Sequence, residues 1–95
     1  DLFRQAIQLD PTQTDAHYNL SLAHYHLNNF QATINACQSA LQLDESFLNA
    51  RYMLALAHYR LGNLDQAQQH TQELQEQNDP RASVLLSHIE TARQR

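Results

Sequence analysis

Small and apolar residues recur along residues 16–27 with the period of an α-helix. Ala16, Leu20, Ala23, His24 and Leu27 stand at i, i+4, i+7, i+8 and i+11, one face of a 3.6-residue helix. Asn28-Asn29 then interrupts the pattern, and Asn tolerates the left-handed backbone that ends helices. A second amphipathic stretch carries Phe30, Ile34, Cys37, Ala40 and Leu41 on one face, with Phe47 beyond its end. The succession then returns: Ala50, Leu54, Ala57, His58 and Leu61, a break at Gly62-Asn63, then Leu64, Ala67, Thr71 and Leu74. The pattern predicts pairs of helices, each joined by a tight turn. Asp10-Pro11 and Asp79-Pro80 mark boundaries between pairs, because the residue before Pro resists the helix and Pro suits a helix start. Thr14 or Thr12 is predicted to cap the first full helix, and Asp65 to place a carboxylate near the start of a later one.

The return is a true internal repeat. Leu22-Ala23-His24-Tyr25-His26-Leu27-Asn28-Asn29-Phe30 and Leu56-Ala57-His58-Tyr59-Arg60-Leu61-Gly62-Asn63-Leu64 share six of nine residues at an offset of 34. Ala6-Ile7-Gln8-Leu9-Asp10 and Ala40-Leu41-Gln42-Leu43-Asp44 share four of five at the same offset. Such a period is the mark of a repeat architecture.

A 34-residue helix–turn–helix period, small residues where paired helices touch and Leu-Asp-Pro at a repeat end resemble the tetratricopeptide repeat (TPR) family. The resemblance covers essentially the whole chain. It implies an all-α fold, a right-handed α-α superhelix or solenoid of antiparallel helix pairs. Residues 1–13 would be a half repeat (a second helix plus linker), 14–47 and 48–81 two full repeats, and 82–95 a terminal or capping helix. The family's small residue in the first helix is Ser21 and Ala55, and in the second helix Ala6, Ala40 and Ala67. The family's Trp place holds His17 and Arg51, its Tyr place His24 and His58, and its boundary Pro place Glu45. Leu74 replaces an expected Ala and Pro80 falls one residue late. Shifting the register by one residue puts Leu86 and Ile89 on the buried face of the last helix, against Leu74.

Composition narrows the function classes. The 95 residues are 42% hydrophobic, with one Gly, two Pro, one Cys and no Trp. That is one small domain, too apolar for a disordered chain of low net charge. Leu, Gln and Ala dominate, all good helix formers, and there is little material for strands or hairpins. No apolar run approaches the ~18 residues of a membrane span, and no signal-peptide pattern opens the chain. The first residue is Asp1, which predicts a piece excised from something longer. The net charge is −4 and all six cations are scattered Arg, so no basic stripe awaits nucleic acid or an anionic membrane. The Gln and Asn residues sit at helical spacing between Ala, Leu and Asp, as solvated helix faces.

Candidate chemistry is sparse. Six His invite a metal, but His24 and His26 point about 200° apart on a helix and zinc needs three or four convergent ligands. His17 and His24 share the apolar face, where packed, hydrogen-bonded His is expected, and His24 and His58 are placed to stack across the repeats. Burial would depress their pKa and make stability fall below about pH 6.5. Cys37 lies on a core face with no orienting group or oxyanion donor indicated. One Gly cannot build a phosphate loop. No enzyme, metal or cofactor is expected.

What remains is the groove. In TPR-like solenoids the first helices line a concave side that binds partners. Here that side would carry Tyr18, Asn19, Leu22, Tyr25 and His26, then Asn49, Tyr52, Met53, Leu56, Tyr59 and Arg60. Tyr18/Tyr52, Leu22/Leu56 and Tyr25/Tyr59 recur at the offset of 34. Large amphipathic rings and Met are enriched at binding surfaces. The alternative is that the two Leu pack between first helices beneath the Tyr rings. One subclass of the family clamps a partner's C-terminal carboxylate with Lys and Asn; those places hold Tyr18 and Leu22, Asn49 and Met53 replace the next Lys and Arg, and there is no Lys. The Asn ladder of another subclass fits Asn19 and is broken by Met53. Two readings follow: a non-catalytic module that binds a peptide or helix of a protein partner in a Tyr-lined groove of a larger scaffold, or a structural segment that self-associates with neighbouring repeats or a second copy. A parent enzyme domain that this piece serves by recruiting substrate is a third.

Overall fold

The computed structural model describes residues 11–95, which form five α-helices and, among the described residues, no strand. They are α1 (Pro11–His26), α2 (Phe30–Leu43), α3 (Leu48–Arg60), α4 (Leu64–Glu76) and α5 (Arg81–Arg93). Each helix packs on the next in sequence, as short connections between helices require. The expected half repeat at residues 1–13 lies largely outside the described residues. Pro11 opens α1, so Thr12 and Thr14 fall inside the helix and not at the position before its first residue. Asp65 does stand in the first turn of α4.

The turns repeat as the sequence does. α1 ends on Asn28 at φ 62° and α3 on Gly62 at φ 81°, both left-handed. The Asn29 amide donates to the His24 carbonyl at 2.8 Å, and the Asn63 amide to the His58 carbonyl at 2.9 Å. Asn28 and Gly62 donate to Tyr25 and Tyr59 at 3.0 Å each. These six-to-one and five-to-two bonds satisfy carbonyls that a helix end leaves open. α4 ends the same way on Asn78, at φ 61°. α2 instead leaves through Asp44 in an extended conformation, its carboxylate accepting from the Ser46 amide at 3.0 Å.

Small side chains set the helix spacing. Ser21, Ala40, Ala50, Ala55, Ala57 and Ala67 are all fully buried. One cluster gathers Ile34, Cys37, Met53, Leu54 and Ala57, and a second Ala55, Ala67, Leu85 and Ile89. The buried hydroxyls of Thr33 and Thr71 donate to the carbonyls of Asn29 and Ala67, at 3.0 and 2.6 Å, so neither is left unsatisfied. Burial pushes the Cys37 thiol up to about 11, against a smaller opposing effect of Ser21.

Two expectations are corrected by burial. On α1 the face expected to pack leaves Leu20 48% and Leu27 69% exposed, with Ala16 and Ala23 exposed too. On α3 the equivalent Ala50, Leu54 and Ala57 are buried, because α2 and α4 both lie against α3. On α5 the buried residues are Leu85 and Ile89, with Leu86 only half buried. Ile89 follows Ser21 and Ala55 at successive offsets of 34, so the last helix needs no shift of register. Leu74 is fully buried, in place of the expected Ala.

Candidate partner-binding face

The odd-numbered helices converge. α1 touches α3 and α3 touches α5, whereas α2 and α4 have no comparable contact. Residues seven apart on α1 and α3 share the converging face. Tyr18 and Tyr25 on α1, and Tyr52 and Tyr59 on α3, are each half buried, with their rings against the core clusters.

Leu22 and Leu56 lie between the Tyr pairs, half buried against the core clusters, so they pack between helices as well as flooring the face. Met53 is only 6% exposed and belongs to the first core cluster, so the side chain placed in the groove from sequence lies beneath it. Its flexible thioether packs in one cluster with Ile34, Cys37, Leu54 and Ala57. Asn19, His26, Asn49 and Arg60 are exposed along the rim.

Two residues without a place in the sequence-based groove belong to this face. Phe47 packs on Tyr18 in a tilted arrangement, with ring centroids 5.2 Å apart and 54° between planes. Arg81 stacks on Tyr52, its guanidinium carbon 4.6 Å from the ring centre. Phe47 and Arg81 are themselves 34 apart, so each lies where the chain enters the next first helix and covers the preceding Tyr. The period pointed to both residues; neither sits inside the helical stripe that the pattern of Tyr picks out.

Arg81 is held in place from the other side. Its Nε donates to Asp79 Oδ1 at 3.0 Å and its Nη2 to Asp79 Oδ2 at 2.7 Å. Asp79 also accepts from the Arg81 amide at 3.0 Å. The Arg81 side-chain bonds hold the Asp79 carboxyl below the usual carboxylate range, and the same pair raises the guanidinium further above its ordinary value. Arg60 lies over Tyr25 and Phe30, 5.8 and 5.0 Å from their ring centres. Such stacking favours a cation on the negative face of a ring.

His58 stacks on His70 of α4, with ring centroids 5.8 Å apart and planes 15° from parallel, and does not stack on His24. His58 Nδ1 lies 3.3 Å from Asn63 Nδ2, and His70 Nδ1 3.4 Å from a Glu73 carboxylate that also pairs with Arg51. Burial pulls both imidazoles below their usual 6.5, for His70 against the opposing charge of Glu73. Among the described residues no three His, Cys, Asp or Glu side chains converge on a common point.

Four clefts of about 310–410 Å³ lie away from the Tyr. One, of about 410 Å³, opens between α2 and α4 over Leu41, Leu54 and His70. Another, of about 330 Å³, opens beside α1 over His17, Leu20, His24 and Ala36. The Tyr face lines none of these four.

Paired helices, repeated caps and a converging face of first helices define an α-helical repeat array. A tetratricopeptide repeat model matches residues 27–89 of the sequence, and a second matches residues 1–46. The chain belongs to the tetratricopeptide repeat family. Members are generally protein–protein interaction modules and are typically not catalytic. No curated protein matches the chain at a significant level.

Proposed function

We propose that the converging face of α1 and α3 binds a peptide or helix of a protein partner, as a non-catalytic module of a larger scaffold. The observation that carries this reading is the period itself. Tyr18/Tyr52 and Tyr25/Tyr59 recur at one offset, half exposed, on the face where first helices meet. Repeated rings along a line suit a ligand with its own linear repeat of contacts, such as an amphipathic helix or an extended apolar segment.

All four Tyr also touch the core, so Tyr52→Ala is expected to lower thermal stability as well as binding. Asn49→Trp carries the test, because Asn49 is exposed on that face. Peptides selected by this chain from a phage-displayed library of random 16-residue sequences should lose at least tenfold in affinity for Asn49→Trp, with an unchanged melting temperature. Affinity unaltered by both Asn49→Trp and Asn19→Trp would place the bound peptides elsewhere and overturn the reading.

The second reading, self-association, has its own observation: Leu20 and Leu27 on α1 are exposed where their counterparts on α3 are more deeply covered. Sedimentation of the chain at rising concentration decides it. A dimer that Leu27→Gln dissociates supports stacking through that face, and a monomer throughout contradicts it.

A further inference from the structure

Both guanidinium groups on the Tyr face rest on rings, and neither is left to a flexible chain. Arg81 lies on Tyr52, and Asp79, only 5% exposed, takes its Nε and Nη2. The Arg81 Nη1 edge makes no hydrogen bond within the described residues, and the side chain is 36% exposed. Arg60 lies on Tyr25 and Phe30, is exposed, and has no carboxylate within salt-bridge distance among the described residues. Asp15 stands one turn before Tyr18, exposed, and pairs with neither Arg.

The two platforms sit on neighbouring first helices, Arg81 against Tyr52 of α3 and Arg60 against Tyr25 of α1. Arg81 is at the level of Tyr52, and Arg60 at the level of Tyr25, which is the counterpart of Tyr59. Tyr52 and Tyr59 are seven residues apart, or ~10 Å along a helix axis. Between the levels lie Leu22 and Leu56. Resting on this proposal of a peptide-binding face, we infer that the preferred partner segment carries two carboxylates with apolar residues between them, one for Arg81 and one for Arg60.

Arg suits the task because a guanidinium fixed on one edge still offers parallel donors on another. Stacking and the Asp79 fork hold Arg81 before the partner arrives, so little rotamer freedom is lost on binding. The two sites differ in one respect: Arg81 already shares its charge with Asp79, and Arg60 shares its charge with no acid among the described residues.

The test uses the same random 16-residue phage library, selected on the whole chain and re-selected on Arg81→Gln and Arg60→Gln. Selected peptides that Asn49→Trp blocks should carry two Asp or Glu flanking apolar residues. As synthetic peptides, each acid changed to its amide should lose at least tenfold in affinity for the natural chain. That loss should vanish for one acid in Arg81→Gln and for the other in Arg60→Gln. Arg81→Lys, which keeps the charge and lacks the fork, should bind between the natural chain and Arg81→Gln. If Arg81→Gln fails to fold, the Arg60→Gln cycle and Arg81→Lys carry the result. Peptides blocked by Asn49→Trp with no preference for acids overturn this inference and leave the peptide-binding face standing. A selection yielding no peptide sensitive to Asn49→Trp overturns both.

Discussion

The first helices α1 and α3 share much of their sequence at the 34-residue offset and live in different surroundings. Leu54 is 2% exposed and its counterpart Leu20 is 48% exposed. Leu61 and Leu27 differ in the same sense, at 43% and 69%. The left-handed breaks within the two pairs, at Asn28 and Gly62, are alike, so local structure there follows the local sequence. Burial does not. α3 is held between α2 and α4, and on the outer face of α1 no described helix lies. In a repeat array the energetic weight of a residue comes from the neighbouring unit as much as from its own.

The difference should be plainest in the two Leu. Leu54→Ala removes packed methyl groups from the first core cluster and is expected to cost about 2–4 kcal/mol. Leu20→Ala is expected to cost under about 1 kcal/mol, because half of its surface is already in water. Chemical denaturation of the two variants checks this, and equal losses would mean that both faces are covered alike.

The caps should be interchangeable where the cores are not. Gly62 sits at φ 81° with open space where a Cβ would go, and Asn28 holds the same place at φ 62°. Gly62→Asn should therefore be nearly neutral, and Gly62→Ala should cost about 1 kcal/mol through left-handed strain alone. Thermal melting of the two single variants separates space from backbone angle. An Ala variant as stable as the natural chain would remove the cap from the account.

The smallest effect concerns pH and belongs to the second pair. His58 and His70 have folded pKa values below 6.5, so the unfolded chain binds more protons just below that pH. Their contribution to stability is complete above 6.5 and declines as pH falls from there toward the folded pKa values. The melting temperature should drop between pH 7.5 and 5.5, and His58→Gln with His70→Gln should flatten that slope. A slope unchanged in the double variant would assign it to other groups.

Much of this was legible before any coordinates. Period, helix pairing and the left-handed breaks follow from residues that act on their own backbone, such as Asn28 and Gly62. The core faces of α2 and α4 were legible too, since Ile34, Cys37, Ala40, Ala67, Thr71 and Leu74 are all buried. What escaped was set by contacts between units. Met53 went to the core and not to the groove because α2 lies over it. His58 turned to His70 within its own pair, not toward His24 across the repeats. Leu85, not Leu86, is buried, because α5 keeps the 34-residue register that Pro80 disturbs only in the linker. Phe47 and Arg81 stand just outside the helical stripe, and their role on the Tyr face depends on a ring in the preceding unit.

The central claim is that the Tyr face is the binding face. Titrating the 15N-labelled chain with a library-selected peptide and mapping the amide shifts tests it directly. The expected shifts concentrate at Tyr18, Tyr25, Tyr52, Tyr59 and Arg81. Shifts concentrated instead at Gln38, Gln42 and His70, along the cleft between α2 and α4, would contradict it.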